Sequence, residues 1–179
     1  MKQIRKGTFE TNSSSTHSIC ITKEDDIELS IPEEIEIELK NYNYEFGWSY
    51  TMWETTEEKL AYLIIGIIDR GYRMTSFMES CAQLEKLLKM LKNIGVKKVE
   101  ISGLKMYLYE EDIYLDHEDS YVDHAGELGE LIETVLTDEK MLKNFLFSTN
   151  SYILGGNDNE DDYQGISAKY PHLELFKGN

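Results

Sequence analysis

Apolar and polar residues alternate first at 17–22 and 35–39, where every second side chain falls on one face, the period of an extended strand. Between 42 and 53 the chain is aromatic: Tyr42, Tyr44, Phe46, Trp48 and Tyr50 occupy even positions, and Trp53 follows. A strand there would gather five rings on one face, suited to core packing or to base stacking. Helical spacing then takes over. Thr55-x-x-Glu58 is a capping box ahead of the apolar run Leu60 to Ile68, predicting a helix to Arg70 that Gly71 stops. Ser76-x-x-Glu79 opens a second helix, with Phe77, Cys81, Leu84, Leu88 and Leu91 as its inner stripe and Gly95 as its stop. Its Lys86, Lys89 and Lys92 form a ridge, either a wet helix face or a phosphate-tracking one.

Strand patterns return at 97–102, 104–109 and 112–116. Asp123 is placed to cap a third helix whose apolar face is Leu128, Leu131, Ile132 and Val135. Asp138 is placed to cap a fourth, with Met141, Leu142, Phe145 and Leu146 inside. Residues 151–154 read as a strand ending at Gly155 and Gly156, and a last short strand falls at 172–176. Strands and helices come in separate runs. The expected fold class is therefore α+β, a mostly antiparallel sheet with about four helices, in a single domain over 1–179.

Composition narrows the setting. Hydrophobic residues make up 41% of the chain, which argues against disorder. Two cysteines, Cys20 and Cys81, are too few for a disulfide framework and read as reduced core residues. No signal-peptide pattern follows Met1, and Leu60 to Ile68 is too short to span a bilayer. A cytoplasmic, membrane-free protein is expected. The formal charge is −16, so the surface as a whole repels free nucleic acid. It suits either plain solvation or the phosphate channel of a basic partner. Residues 1–23 differ: Lys2, Arg5, Lys6 and Lys23 stand against Glu10 alone, a net of +3.

That basic segment, which leads into the first strand, also holds the tract Thr11, Asn12, Ser13, Ser14, Ser15, Thr16, His17 and Ser18. Hydroxyl and amide donors, with backbone N–H groups left free by a turn, make an oxyanion-binding concavity. Arg5 and Lys6 are near enough in sequence to add charge-assisted bonds. A flexible Ser-rich loop has the same composition. The tract lacks the glycines and lysine of a Walker motif.

Two Asp-His pairs, Asp116-His117 and Asp123-His124, form a second candidate. Zn or Mn suits such a set, and so does an acidic loop with two solvent-facing histidines. Asp123-His124 is the better half, expected at a helix N-terminus where an oxyanion is favoured. A third candidate is Gly155-Gly156-Asn157-Asp158-Asn159, read as a turn after a strand. The EF-hand register is missing there, so it is not a calcium loop of that kind.

The string from Arg5 to Ser18 (RKGTFETNSSSTHS) resembles the opening of a group of proteins from phages and mobile elements of Gram-positive bacteria. Asp123-His124 and Gly156-Asn157-Asp158 resemble further segments of that group. The opening covers under a tenth of the chain. The group is associated with inhibitors of type II CRISPR systems, some of which act on the guide RNA. The resemblance implies a counter-defence protein whose partner is bacterial Cas9, or another basic defence nuclease, with its guide RNA.

Three functions remain open. One is metal-independent and cofactor-free RNA cleavage: His17 and His124 serve as base and acid, Asp123 orients an imidazole, and Arg5, Lys6, the hydroxyl tract, Asn157 and Asp158 hold the phosphate. The second is a non-catalytic acidic module mimicking phosphates, for which Glu110 to Glu139 supplies 12 carboxylates and no Lys or Arg. The third is a hydrolase or transferase of small phosphate esters, built from one of Ser13 to Ser15, His17 or His124, and Asp123. The missing G-x-S-x-G elbow counts against it.

Overall fold

The computed structural model describes residues 15–23, 29–40, 44–47, 51–73, 77–109, 112–117, 120–123, 125–157 and 173–178. In chain order the elements are β1 (Ser15–Thr22), β2 (Glu34–Glu38), β3 (Glu45–Phe46), β4 (Met52–Trp53), α1 (Thr56–Arg73) and α2 (Phe77–Ile94). There follow β5 (Lys98–Ser102), β6 (Leu104–Tyr109), β7 (Asp112–His117) and β8 (Tyr121–Val122). A 3-10 turn (Ala125–Leu128) leads into α3 (Gly129–Val135), α4 (Glu139–Phe147), β9 (Tyr152–Asn157) and β10 (Leu173–Gly178). The fold is α+β with four helices among the described residues. Its largest sheet is antiparallel, in the order β10-β1-β9-β4. The other strands pair two by two: β2 with β5 and β3 with β8 in parallel, β6 with β7 as an antiparallel hairpin.

α1 is the centre of the core. Leu60 to Ile65, Ile67 and Ile68 are all buried, so the helix meets neighbours on every side. Its start is the expected box: Thr55 Oγ1 accepts the Glu58 N–H at 3.2 Å, and Glu58 Oε2 accepts the Thr55 N–H at 2.9 Å. Gly71 does not stop it, and the helix runs on to Arg73. Gly66 lets the 3-10 turn come close, since a Cβ there would lie 2.6 Å from Leu128 Cδ1. The aromatic segment is not one strand. It forms two short strands, β3 and β4, whose Phe46 and Trp53 rings lie 4.9 Å apart, with Tyr62 of α1 edge-on to Phe46 at 5.0 Å. Tyr44, Phe46 and Trp53 are buried, so these rings pack the core; Tyr42, Trp48 and Tyr50 lie outside the described residues.

The inner face of α2 is rotated by about one residue from the expected stripe. Ser80, Leu87, Met90 and Leu91 are buried, while Leu88 is exposed. Ser80 takes a core-facing place, its hydroxyl donating to the Ile67 carbonyl of α1 at 3.4 Å. Lys86, Lys89 and Lys92 are all exposed, as a ridge requires. Gly95 ends the helix, its N–H donating to the Leu91 carbonyl at 3.1 Å. The cap expected of Ser76 lies outside the described residues.

The third helix departs more. α3 begins at Gly129, its N-cap is Leu128, and no side chain caps it. Asp123 sits earlier, in the turn after β8, where its N–H donates to the Phe46 carbonyl at 2.9 Å. The 3-10 turn, Ala125–Leu128, stands between Asp123 and the start of α3. Asp138 does cap α4, accepting the N–H groups of Lys140 at 2.9 Å and Met141 at 3.2 Å. β9 does not end at the glycines but runs through Gly155 and Gly156 to Asn157, because β1 pairs along its whole length.

Candidate functional site

β1 carries the second half of the hydroxyl tract. Ile19, Cys20, Ile21 and Thr22 are buried, which fixes the strand in the middle of its sheet. Pairing then extends outward to Ser15, two residues before the expected strand start. The register sets Ser15 opposite Asn157, Thr16 opposite Gly156 and His17 opposite Gly155 on β9. On the other side His17 faces Gly178 of β10. Both direct ladder partners of His17 are thus glycines. Glycine inside a strand is where a ligand or another backbone can approach closely. Gly155 is buried and donates its N–H to the Thr51 carbonyl at 2.8 Å.

Two segments separated by more than a hundred residues are thus side by side, and both were candidates for one phosphate site. The expected turn is nevertheless absent at Ser15 to Ser18. Those residues are extended: Ser15 to Ser18 pair with β9, and His17 and Ser18 pair with β10 as well, so they form ladders and not a turn. Thr11, Asn12, Ser13 and Ser14 lie outside the described residues, with Arg5, Lys6, His124 and Asp158. Gly155 to Asn157 is likewise strand, not turn.

Asp116-His117 has a different outcome. The His117 ring is nearly buried, at 4% exposure. Its Nε2 lies 3.0 Å from Asp69 Oδ1 of α1, and its Nδ1 lies 2.9 Å from Ser120 Oγ. A carboxylate can only accept, so Nε2 donates to Asp69; in the neutral ring Nδ1 then accepts from the Ser120 hydroxyl. Both ring nitrogens are therefore occupied, and the metal reading loses its ligand at His117. Among the described residues no three His, Cys, Asp or Glu side chains gather as a metal site.

Serine, imidazole and carboxylate in this order are the parts of a nucleophilic triad. Access decides against that use. Ser120 is 8% exposed, and no ester reaches its Oγ beside a ring that is 4% exposed. Asp69 also spends its second oxygen on the Val122 N–H at 2.9 Å. The array fastens His117 of β7, Ser120 and Val122 of β8 to α1. Sequence reasoning singled out His117 but missed Asp69 and Ser120. The available signal was helical spacing: Asp69 follows buried Tyr62 and Ile65 at seven and four residues, so it shares their inward face. Asp69→Asn is expected to cost only about 1 kcal/mol, because the imidazole can exchange tautomers and accept from the new amide. A urea denaturation midpoint measures this.

Carboxylates crowd the β2–β5 ribbon. Ile35 and Ile37 face the core, while Glu34, Glu36 and Glu38 are exposed on the other face, spaced by about 6.6 Å along the strand. Glu36 pairs in register with Glu100 of β5, also exposed. Lys98 bonds Glu100 at 2.6 Å, and Glu100 first, then Glu34 and Glu36, hold its ammonium above the usual lysine range. Within the acidic run, Asp116, Glu130, Glu133, Asp138 and Glu139 are exposed.

Compared with protein-family models, with curated proteins and with solved structures, the chain matches none.

Proposed function

We propose that this protein is a counter-defence inhibitor of a bacterial CRISPR nuclease, Cas9 being the favoured target, and that it acts on the guide RNA at the β1–β9 junction. The supporting observation is the register that pairs Ser15, Thr16 and His17 with Asn157, Gly156 and Gly155. It joins the hydroxyl tract to the Gly-Asn segment assigned to the same phosphate contact. In this reading a base takes the proton of a ribose 2′-OH as its oxygen attacks phosphorus. The bond from phosphorus to the 5′-oxygen breaks, and an acid protonates that oxygen. His17 and His124 supply the two imidazoles, with Asp123 orienting one of them. Arg5, Lys6 and the hydroxyls stabilise the phosphorane. A basic Cas protein delivers RNA that an acidic protein would not bind alone.

A second reading, the non-catalytic phosphate mimic, is favoured by the Glu34, Glu36 and Glu38 row. Like charges set opposite one another, as Glu36 and Glu100 are, weaken a sheet, so this face suits a cationic partner better than it suits the ribbon. One experiment separates the two. Guide-loaded Cas9 is incubated with the protein, and the RNA is run on a denaturing gel. Shortened guide RNA is expected. Intact RNA with lost DNA binding would transfer the function to the acidic face. Affinity would then fall steeply with salt, because exposed charges are screened beyond about 8 Å at physiological ionic strength.

A further inference from the structure

Among the described residues β2 and β5 pair only with each other, so their ribbon has two open edges. The bonds at its ends fix which residues form the outer edge of β2. The Leu39 N–H donates to the Ser102 carbonyl at 2.9 Å, and the Glu33 carbonyl accepts the Lys98 N–H at 3.1 Å. Odd-numbered residues of β2 thus turn their backbone groups towards β5. Backbone groups, like side chains, reverse direction at every residue of a strand, so Glu34, Glu36 and Glu38 turn theirs outward. Nothing among the described residues bonds these three on that side. Their side chains are exposed, while Ile35 and Ile37 between them are buried. An edge of unpaired N–H and C=O groups is a template for another strand. Pro32, which has no N–H, lies just before the row, and Lys40 just after it.

We propose that the outer edge of β2 is a strand-addition site for an extended basic segment of a partner protein, one that carries Lys or Arg at every second position. Backbone groups supply the affinity common to any added strand, and side chains select the occupant. A strand laid beside β2 sets its same-face side chains opposite Glu34, Glu36 and Glu38, within about 5.5 Å. Cations there form a cross-strand pair with each carboxylate. On β5 the same face adds Glu100 and one cation, Lys98, which is already bonded to Glu100 at 2.6 Å. The row on β2 is therefore left for an outside partner. A second copy of this edge would set carboxylate against carboxylate, and RNA would set phosphates against them. Charges on an edge keep neutral strands away, and the same charges admit a basic one. The segment's intervening residues fall on the core side of the ribbon, beside Ile35 and Ile37, and apolar side chains suit them. The proposal rests on the reading of the acidic face as the contact for a basic protein partner, and it names how that partner binds.

The test compares wild type with Glu34→Gln/Glu36→Gln/Glu38→Gln, exposed positions where substitution opens no cavity. Both are titrated with a synthetic peptide alternating Lys with Val, and with one of the same composition whose lysines form a block. Wild type is expected to bind the alternating peptide about tenfold more tightly than the block peptide, and the triple variant to lose that preference. Two further alternating peptides carry N-methyl groups, one on its lysine amides and the other on its valine amides. Strand direction decides which set of amides meets β2, and that form alone is expected to bind about tenfold more weakly than the parent. Equal affinity for the two methylated forms overturns the proposal, because contact would then be by charge alone. So does an unchanged preference in the triple variant. Wild-type self-association in sedimentation that the alternating peptide dissolves overturns it too, since the occupant would be a second copy. Guide-loaded Cas9 is titrated in parallel. If wild type binds Cas9 but not the alternating peptide, strand addition fails and the acidic-face reading stands. If it takes the peptide at β2 yet ignores Cas9, the Cas9 reading fails and the edge site stands.

Discussion

His17→Ala is expected to remove cleavage of the guide RNA, lowering the rate by about 10²–10⁴, the usual consequence of losing a general base. The strand itself should survive. β1 is held by Ile19, Cys20, Ile21 and Thr22, all buried, and by ladders on both sides that use backbone groups. Alanine keeps those bonds. Its direct partners across the ladders are Gly155 and Gly178. Ser14→Ala should cost less if the hydroxyls only donate hydrogen bonds, and as much if one of them is a nucleophile. Thermal melts alongside single-turnover cleavage separate a chemical loss from a structural one. Full activity in His17→Ala with an unchanged melt would remove β1 from the site and leave the acidic face to carry the function.

Local signals made the helices legible. The box at Thr55 and Glu58 and the cap at Asp138 each satisfy backbone donors within four residues, so the sequence around them is sufficient. Long-range pairing overrode local signals elsewhere. Gly155 and Gly156 read as a turn, yet β1 draws them into a ladder. Asp123 reads as a cap, yet β8 pairs with β3 and α3 begins at Gly129. The same limit governs the site. That His17 lies between Gly155 and Gly178 is a matter of register, which no local pattern specifies over such separations.

Polar residues inside the core were the least legible of all, because each is tolerated only through partners far away in sequence. Ser120 and Asp69 are one case, joined through His117. Lys59 is the other. It stands one residue before the apolar run, on a helix that burial surrounds, and a lysine there reads as solvent-facing.

Lys59→Met is expected to cost about 2–4 kcal/mol at pH 7, and the deficit should widen as the pH rises. Lys59 is 1% exposed, and its Nζ donates to the carbonyls of Ser148 at 2.9 Å and Ser151 at 3.0 Å. These anchor the α4–β9 connection to α1. The same connection reaches β1: Ser151 Oγ accepts the Thr22 N–H at 3.0 Å and donates to the Asn144 carbonyl at 2.8 Å, while Asn144 Nδ2 donates to the Thr22 carbonyl at 3.1 Å. Methionine fills the space but leaves both carbonyls without this donor in a dry interior. Relief of the buried charge offsets part of that loss, since burial pushes the ammonium down to about 8, against the opposing pull of Glu54, Glu58 and Glu57. Below pH 8 Lys59 is charged whether the chain is folded or not, and the burial penalty is paid in full. Between about 8 and 10.5 the folded chain releases the proton while the unfolded chain keeps it, so stability rises with pH. Across that window the shift is worth about 3 kcal/mol to wild type and nothing to the methionine variant. Urea midpoints of both proteins at pH 7, 8, 9 and 10 measure the difference directly, and groups that titrate in both cancel. A gap that stays constant from pH 7 to 10 would mean that Lys59 keeps its proton in the fold, and that water, not protein carbonyls alone, surrounds its ammonium.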